Sequence, residues 1–78
     1  MPSISKVELL ERKIEDMENK GYGCMFADFG TEKLCPYEMF TSEMMERVTA
    51  LYFVQMTDEI FENGLDSLDG VSYIKSEF

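Results

Sequence analysis

Five consecutive apolar residues, Ala50-Leu51-Tyr52-Phe53-Val54, constrain this 78-residue chain more than any other feature. They lie within a longer apolar series: Met44, Met45, Val48, Leu51, Tyr52, Phe53, Val54, Met56, Ile60 and Phe61. Thr41 or Ser42 can cap the start of that series, and Asn63-Gly64 can stop it. With Thr41 as the cap, Phe40 and Met45 form a hydrophobic staple, and Glu43 complements the positive end of the helix dipole. The series therefore predicts a helix over about 41–63. At ~1.5 Å per residue, about 22 residues span roughly 33 Å. A chain of this size has an expected radius of gyration near ~11.5 Å, so the helix would cross the whole domain. Five apolar residues in a row cover every side of a helix. Either a sheet and another helix wrap this turn, or one side meets a partner.

An earlier helix is expected over about 5–20. Ser5-Lys6-Val7-Glu8 fits a capping box. Val7, Leu10, Ile14 and Met17 form one apolar stripe, which Leu9 widens. Glu8/Arg12, Arg12/Asp16 and Asp16/Lys20 are opposite charges four apart, and Gly21 is a natural stop.

Between the two helices the chain reads as extended. The segment 22–29 is aromatic-rich and apolar on both faces, Gly30-Thr31-Glu32-Lys33 is a turn, and 34–40 returns as a second strand. Pro36 donates no ladder hydrogen bond and confines that strand to an edge; alternatively Pro36 opens the following helix early. Leu65 to Gly70 reads as a loop or short helical turn, and 71–76 as a last strand. The expected fold is α+β, in the order α-β-β-α-β, with two helices on a small antiparallel sheet. One domain, 1–78, is the sensible count at this length. Hydrophobic residues make up 45% of the chain, with 5 Gly and 2 Pro, which argues against disorder. A core this small is marginal without a disulfide, a metal or a partner subunit.

Two Cys do not make a disulfide scaffold, and the segment 1–6 has no apolar signal region. A soluble cytoplasmic protein with reduced thiols is expected. Cys24 and Cys35 would be cross-strand neighbours if the hairpin centred on Phe29-Gly30, and would miss each other if it centred on Thr31-Glu32.

Catalytic chemistry finds little to work with. The chain has no His, which removes the commonest general base and leaves either Cys without one. Asp58/Glu59 and Glu15/Asp16 are adjacent positions that point in different directions on a helix. No phosphate-cradling glycine loop is present, and Gly21-x-Gly23 follows a helix instead of a strand. Two Cys without His cannot supply four zinc ligands in one chain, which leaves only a site shared across a dimer, and the Asp-rich tail fails as a calcium loop, with Leu65 and Ser76 at its first and twelfth positions. No metal, no cofactor and no enzymatic activity are expected.

The acids are the most informative charges. The net charge is -9, from 16 Asp+Glu against 7 Lys+Arg. Residues 1–35 hold seven acids and five bases, whereas 36–78 hold nine acids and only Arg47 and Lys75 as bases. This charge opposes direct contact with nucleic acid or with anionic membranes and favours a basic protein surface. Asp58 and Glu62, four apart, lie about 6 Å apart along a helix axis. That approximates every second phosphate of a DNA strand, whose phosphates step about 3.4 Å. One reading is a solvated face that serves solubility. The other is a nucleic-acid mimic, and the self-repulsion that such concentrated acids impose favours it. Its expected contacts are Glu43, Glu46, Asp58, Glu59, Glu62, Asp66 and Asp69.

In physical type, though not in any family motif, the chain is similar to small phage- or mobile-element inhibitors such as DNA mimics and anti-CRISPR proteins. That likeness implies a binding protein that occupies the basic, nucleic-acid-binding surface of a target in the host cytoplasm. A second reading is a non-enzymatic structural or regulatory homodimer. It would assemble through the Met- and aromatic-rich second helix, with Leu51, Phe53 and Met56 at its contact.

Overall fold

The stripe of the first helix finds its partner in a four-stranded antiparallel sheet. A computed structural model of the chain describes residues 5–30, 34–36 and 39–78, and the side chain of Leu34 is outside that description. The elements run α1 (Lys6–Asn19), β1 (Tyr22–Asp28), β2 (Leu34–Pro36), α2 (Ser42–Met45), β3 (Ala50–Gln55), α3 (Asp58–Asn63) and β4 (Tyr73–Glu77). The fold class is α+β, as the sequence leads one to expect.

α1 begins where the capping box puts it. The Ser5 hydroxyl accepts the Glu8 N–H at 3.2 Å, and Leu10, Ile14 and Met17 are buried. Arg12 pairs with Glu8 at 3.7 Å and Lys20 with Asp16 at 3.1 Å on the solvent side. Gly21, at φ 89°, turns the chain out of the helix into β1.

The strand order is β2-β1-β3-β4, and every neighbouring pair is antiparallel. β2 pairs Ala27 with Cys35 and ends at Pro36, an edge position as expected. The expected strand over 34–40 is thus shorter: residues 37–38 lie outside the described set, and the strand is over before Met39 and Phe40. The expected turn at 30–33 likewise falls on residues 31–33, outside that set. β4 begins two residues later than the expected 71–76, at Tyr73.

The continuous helix expected over 41–63 does not form. Its middle is β3, the strand between β1 and β4, with Ala50, Leu51, Tyr52, Phe53 and Val54 all buried. Helices remain only at its two ends, each with a threonine cap. The Thr41 hydroxyl accepts the Met44 N–H at 3.2 Å, and the Thr57 hydroxyl accepts the Ile60 N–H at 3.2 Å. The physical reason is coverage. A strand covered on both faces is apolar at every position, as is a wrapped turn of helix. Tyr, Phe and Val favour the strand, and antiparallel pairing on both sides satisfies its backbone.

Each face of the sheet carries its own core. On the α1 face, Leu10, Ile14, Met17, Cys24, Ala27, Val48, Leu51 and Phe53 form one buried cluster, with Tyr22, Phe29, Phe40 and Met45 against it. On the other face Phe26, Ala50 and Tyr52 are covered by Met25, Leu65 and Leu68. The segment after α3 therefore lies over the second face and ties the acidic tail to the sheet.

Candidate functional site

The acids expected at the site divide into two groups. α2, with Glu43 and Glu46, precedes β3, and α3 follows it. β3 has six residues at about 3.3 Å of rise each, so the two helices stand at opposite ends of a strand of some 17 Å. Glu43 and Glu46 therefore do not continue the surface of Asp58, Glu59, Glu62, Asp66 and Asp69. All seven residues are exposed.

The second group forms a continuous ridge. Residues 58–69 hold five acids and no base, and none of the five carboxylates forms an ion pair with a described residue. Thr57 caps α3, and Asp58 and Glu59 occupy its first turn, where acids complement the helix dipole. Gly64, at φ 71°, ends it with its N–H on the Ile60 carbonyl at 2.8 Å. Short as it is, α3 preserves the Asp58–Glu62 spacing expected of a longer helix. Leu65 and Leu68 anchor the following loop, while Asp66 and Asp69 between and beyond them face solvent. An alternation of half-buried Leu and exposed Asp thus builds the rest of the ridge.

Phe61 belongs to this site and sequence reasoning placed it elsewhere, in the apolar series of the long helix. It is 81% exposed. At about 100° per residue, Phe61 sits some 60° from Asp58 around α3, and Glu62 some 40° on the other side. Ile60, half-buried, points the opposite way. The signal was available in the spacing: Phe61 and Asp58 are three apart and share a face.

At the foot of the ridge lies a cleft of about 430 Å³ lined by Cys24, Met25, Pro36, Met39, Asn63, Gly64, Leu65 and Asp66. Its walls are mostly apolar, and Asp66 supplies a carboxylate. Burial pushes the Cys24 thiol up to about 12, with Glu18 adding to the rise, so the thiol is neutral and unreactive at ordinary pH. Both cysteines are free. Cys35 faces Ala27, three positions from Cys24, or about 10 Å along the strand, well beyond disulfide reach.

The residues expected at a self-association contact lie elsewhere. Leu51 and Phe53 are 1% and 0% exposed inside the chain's own core, so they offer no surface to a second copy. Met56 is half-buried, with its sulfur over Gly23. The apolar run needed no partner to bury it; β1, β4 and the covers of both faces do so. Among the described residues no helix is long and apolar enough to cross a membrane.

Comparison of the chain with protein-family models, with characterised proteins and with solved structures finds no match.

Proposed function

We propose that this chain is a non-catalytic binding protein whose ridge, residues 58–69, docks on a basic protein surface that otherwise holds nucleic acid. One observation carries the reading: five exposed carboxylates within twelve residues, with no base among them and no described cation paired to them. Unpaired carboxylates held on a capped helix and an anchored loop are pre-organised acceptors for Arg and Lys. Phe61 supplies what a charged ridge alone lacks, an aromatic anchor with little conformational entropy to lose. The cleft beside Asp66 suits the aliphatic stem of a partner's Lys or Arg, whose head would meet the carboxylate.

The mechanism is competition. The ridge fills the target's groove, its carboxylates take the places of phosphates, and nucleic acid is excluded. This suits an inhibitor of the phage or mobile-element type acting in the host cytoplasm. Glu43 and Glu46, at the far end of β3, contribute to long-range attraction rather than to the contact.

The test is a side-by-side capture from a bacterial lysate. Immobilised wild type is compared with the combined variant Asp58→Lys, Glu62→Lys, Asp66→Lys, after circular dichroism shows both folded. Nucleic-acid-handling proteins retained by the wild type and lost by the variant support the reading. Equal retention by the two overturns it.

A further inference from the structure

The outer strand β4 departs from the acidity of the ridge that precedes it. Residues 58–69 carry five acids and no base, whereas 70–78 carry one of each, Lys75 and Glu77. Each chain has a net charge of -9, so contact between two copies is least opposed where acids are sparsest. β4 pairs with β3 along one side, from Ala50↔Glu77 to Val54↔Tyr73. As the last strand of the order β2-β1-β3-β4 it has, among the described residues, no strand on its other side.

The backbone phase of that open side is fixed. The Phe78 N–H donates to the Thr49 carbonyl at 2.9 Å, so Phe78 turns its backbone toward β3. In an antiparallel ladder this direction alternates residue by residue. Ile74 and Ser76 therefore face β3 with their backbone groups, and Tyr73, Lys75 and Glu77 turn theirs outward. Side chains alternate as well. Ile74 and Ser76 stand opposite Phe53 and Leu51 on the α1 face; Tyr73, Lys75 and Glu77 stand opposite Val54, Tyr52 and Ala50 on the other.

We propose that β4 pairs antiparallel with β4 of a second copy, about a twofold axis through Ser76, to join two sheets into one of eight strands. Backbone phase and charge select this register. Outward groups bond only to outward groups, so the axis must pass through a residue and not between two. An axis through Lys75 or Glu77 sets that charge against its own copy, which is unfavourable. An axis through Ile74 leaves Glu77 across from Val71. The axis through Ser76 sets Lys75 opposite Glu77 of the second copy, and Glu77 opposite its Lys75. Both members of each pair lie on one face. On the other face Ile74 meets Phe78 of the second copy. These two side chains are 41% and 40% exposed, and pairing covers apolar surface that an isolated edge strand leaves to water. An edge lysine ordinarily guards a strand against pairing, but here its counter-charge lies two residues along, 3.4 Å away within the chain, and pairing about Ser76 exchanges that contact for the same contact between copies.

Sedimentation of the 78-residue chain from micromolar to millimolar concentration tests this, with three variants. Wild type is expected to move reversibly from one to two chain masses. Lys75→Pro removes an outward N–H and leaves the bonds to β3 in place; it is expected to remain monomeric. Lys75→Glu is expected to weaken association by about tenfold or more, and Lys75→Glu combined with Glu77→Lys to restore it, because the cross-strand pair is rebuilt. Ser76→Cys, in a Cys35→Ser background, is expected to form an intermolecular disulfide at the axis, where facing Cα atoms come about 4.5 Å apart; Ser72→Cys is not. This cross-link decides the matter even if Lys75→Pro fails to fold. A wild type monomeric throughout, a dimer indifferent to Lys75→Glu, or a Ser76→Cys chain that does not cross-link overturns the proposal. So does a monomer that gains a strand only from another protein.

Discussion

Phe26 lies directly across from Tyr52, although Cys24, two residues before it, lies across from Phe53. One residue of β3 thus answers two of β1, a β-bulge at Met25. The bulge changes which face the following residues meet. Cys24 joins Phe53 in the core under α1, and Phe26 joins Tyr52 in the core under Leu65 and Leu68. A strand that feeds both cores is apolar at nearly every position, and the same holds for β3 beside it.

The central strand sets the stability of the domain. Phe53 is 0% exposed and belongs to the α1-face core. Phe53→Ala is expected to cost about 3–5 kcal/mol, a large share of the stability of a domain this small. Leu51→Asp, which buries an unpaired charge, is expected to unfold the chain. Phe61→Ala, at an 81% exposed position, is expected to change stability by less than about 0.5 kcal/mol. Urea unfolding followed by circular dichroism measures all three.

Met56 and Gly23 form a second measurable relationship. A Cβ added at Gly23 would lie 2.6 Å from Met56 Sδ and 3.0 Å from its Cγ. The obstacle is a flexible thioether, which can move at a moderate cost. Gly23→Ala is expected to destabilise by about 1 kcal/mol. In a Met56→Ala background the same change should be neutral or stabilising, since glycine weakens a strand interior. A double-mutant cycle in urea reads the coupling, and additivity of the two changes would refute it.

How much of this was legible in the sequence depended on local signals. α1 was readable because the Ser5–Glu8 cap and the Leu10, Ile14, Met17 stripe are self-contained. β3 was not, because Ala50 to Val54 are buried by strands and covers distant in the chain, which no local period reports. One clue was present. Thr57 followed by Asp58 and Glu59 marks a helix start, and a helix starting there cannot also run through Tyr52. Of the seven acids, the ridge from Asp58 to Asp69 was legible as a run, whereas its separation from Glu43 and Glu46 followed only once β3 was known to be extended.

The Cys24 thiol predicts a pH dependence. Burial raises it from an ordinary 9.0 to about 12, so between those values the unfolded chain loses a proton that the folded chain keeps. Stability from this group is therefore fully present below pH 9 and falls as pH rises toward 12. Cys24→Ala is expected to flatten that part of the profile in thermal unfolding. In native conditions Cys35 should react with iodoacetamide well before Cys24, and mass spectrometry of timed samples shows the order.

The most direct test of the ridge as a nucleic-acid mimic is displacement. Immobilised wild-type chain is loaded from a bacterial lysate, washed, and eluted either with rising salt or with duplex DNA or RNA at constant ionic strength. Retention of basic nucleic-acid-binding proteins that nucleic acid releases is expected, with affinity falling by roughly tenfold or more between about 50 and about 200 mM salt. Retained proteins that salt and nucleic acid both fail to release, or retention of nothing except further copies of the chain, would contradict it.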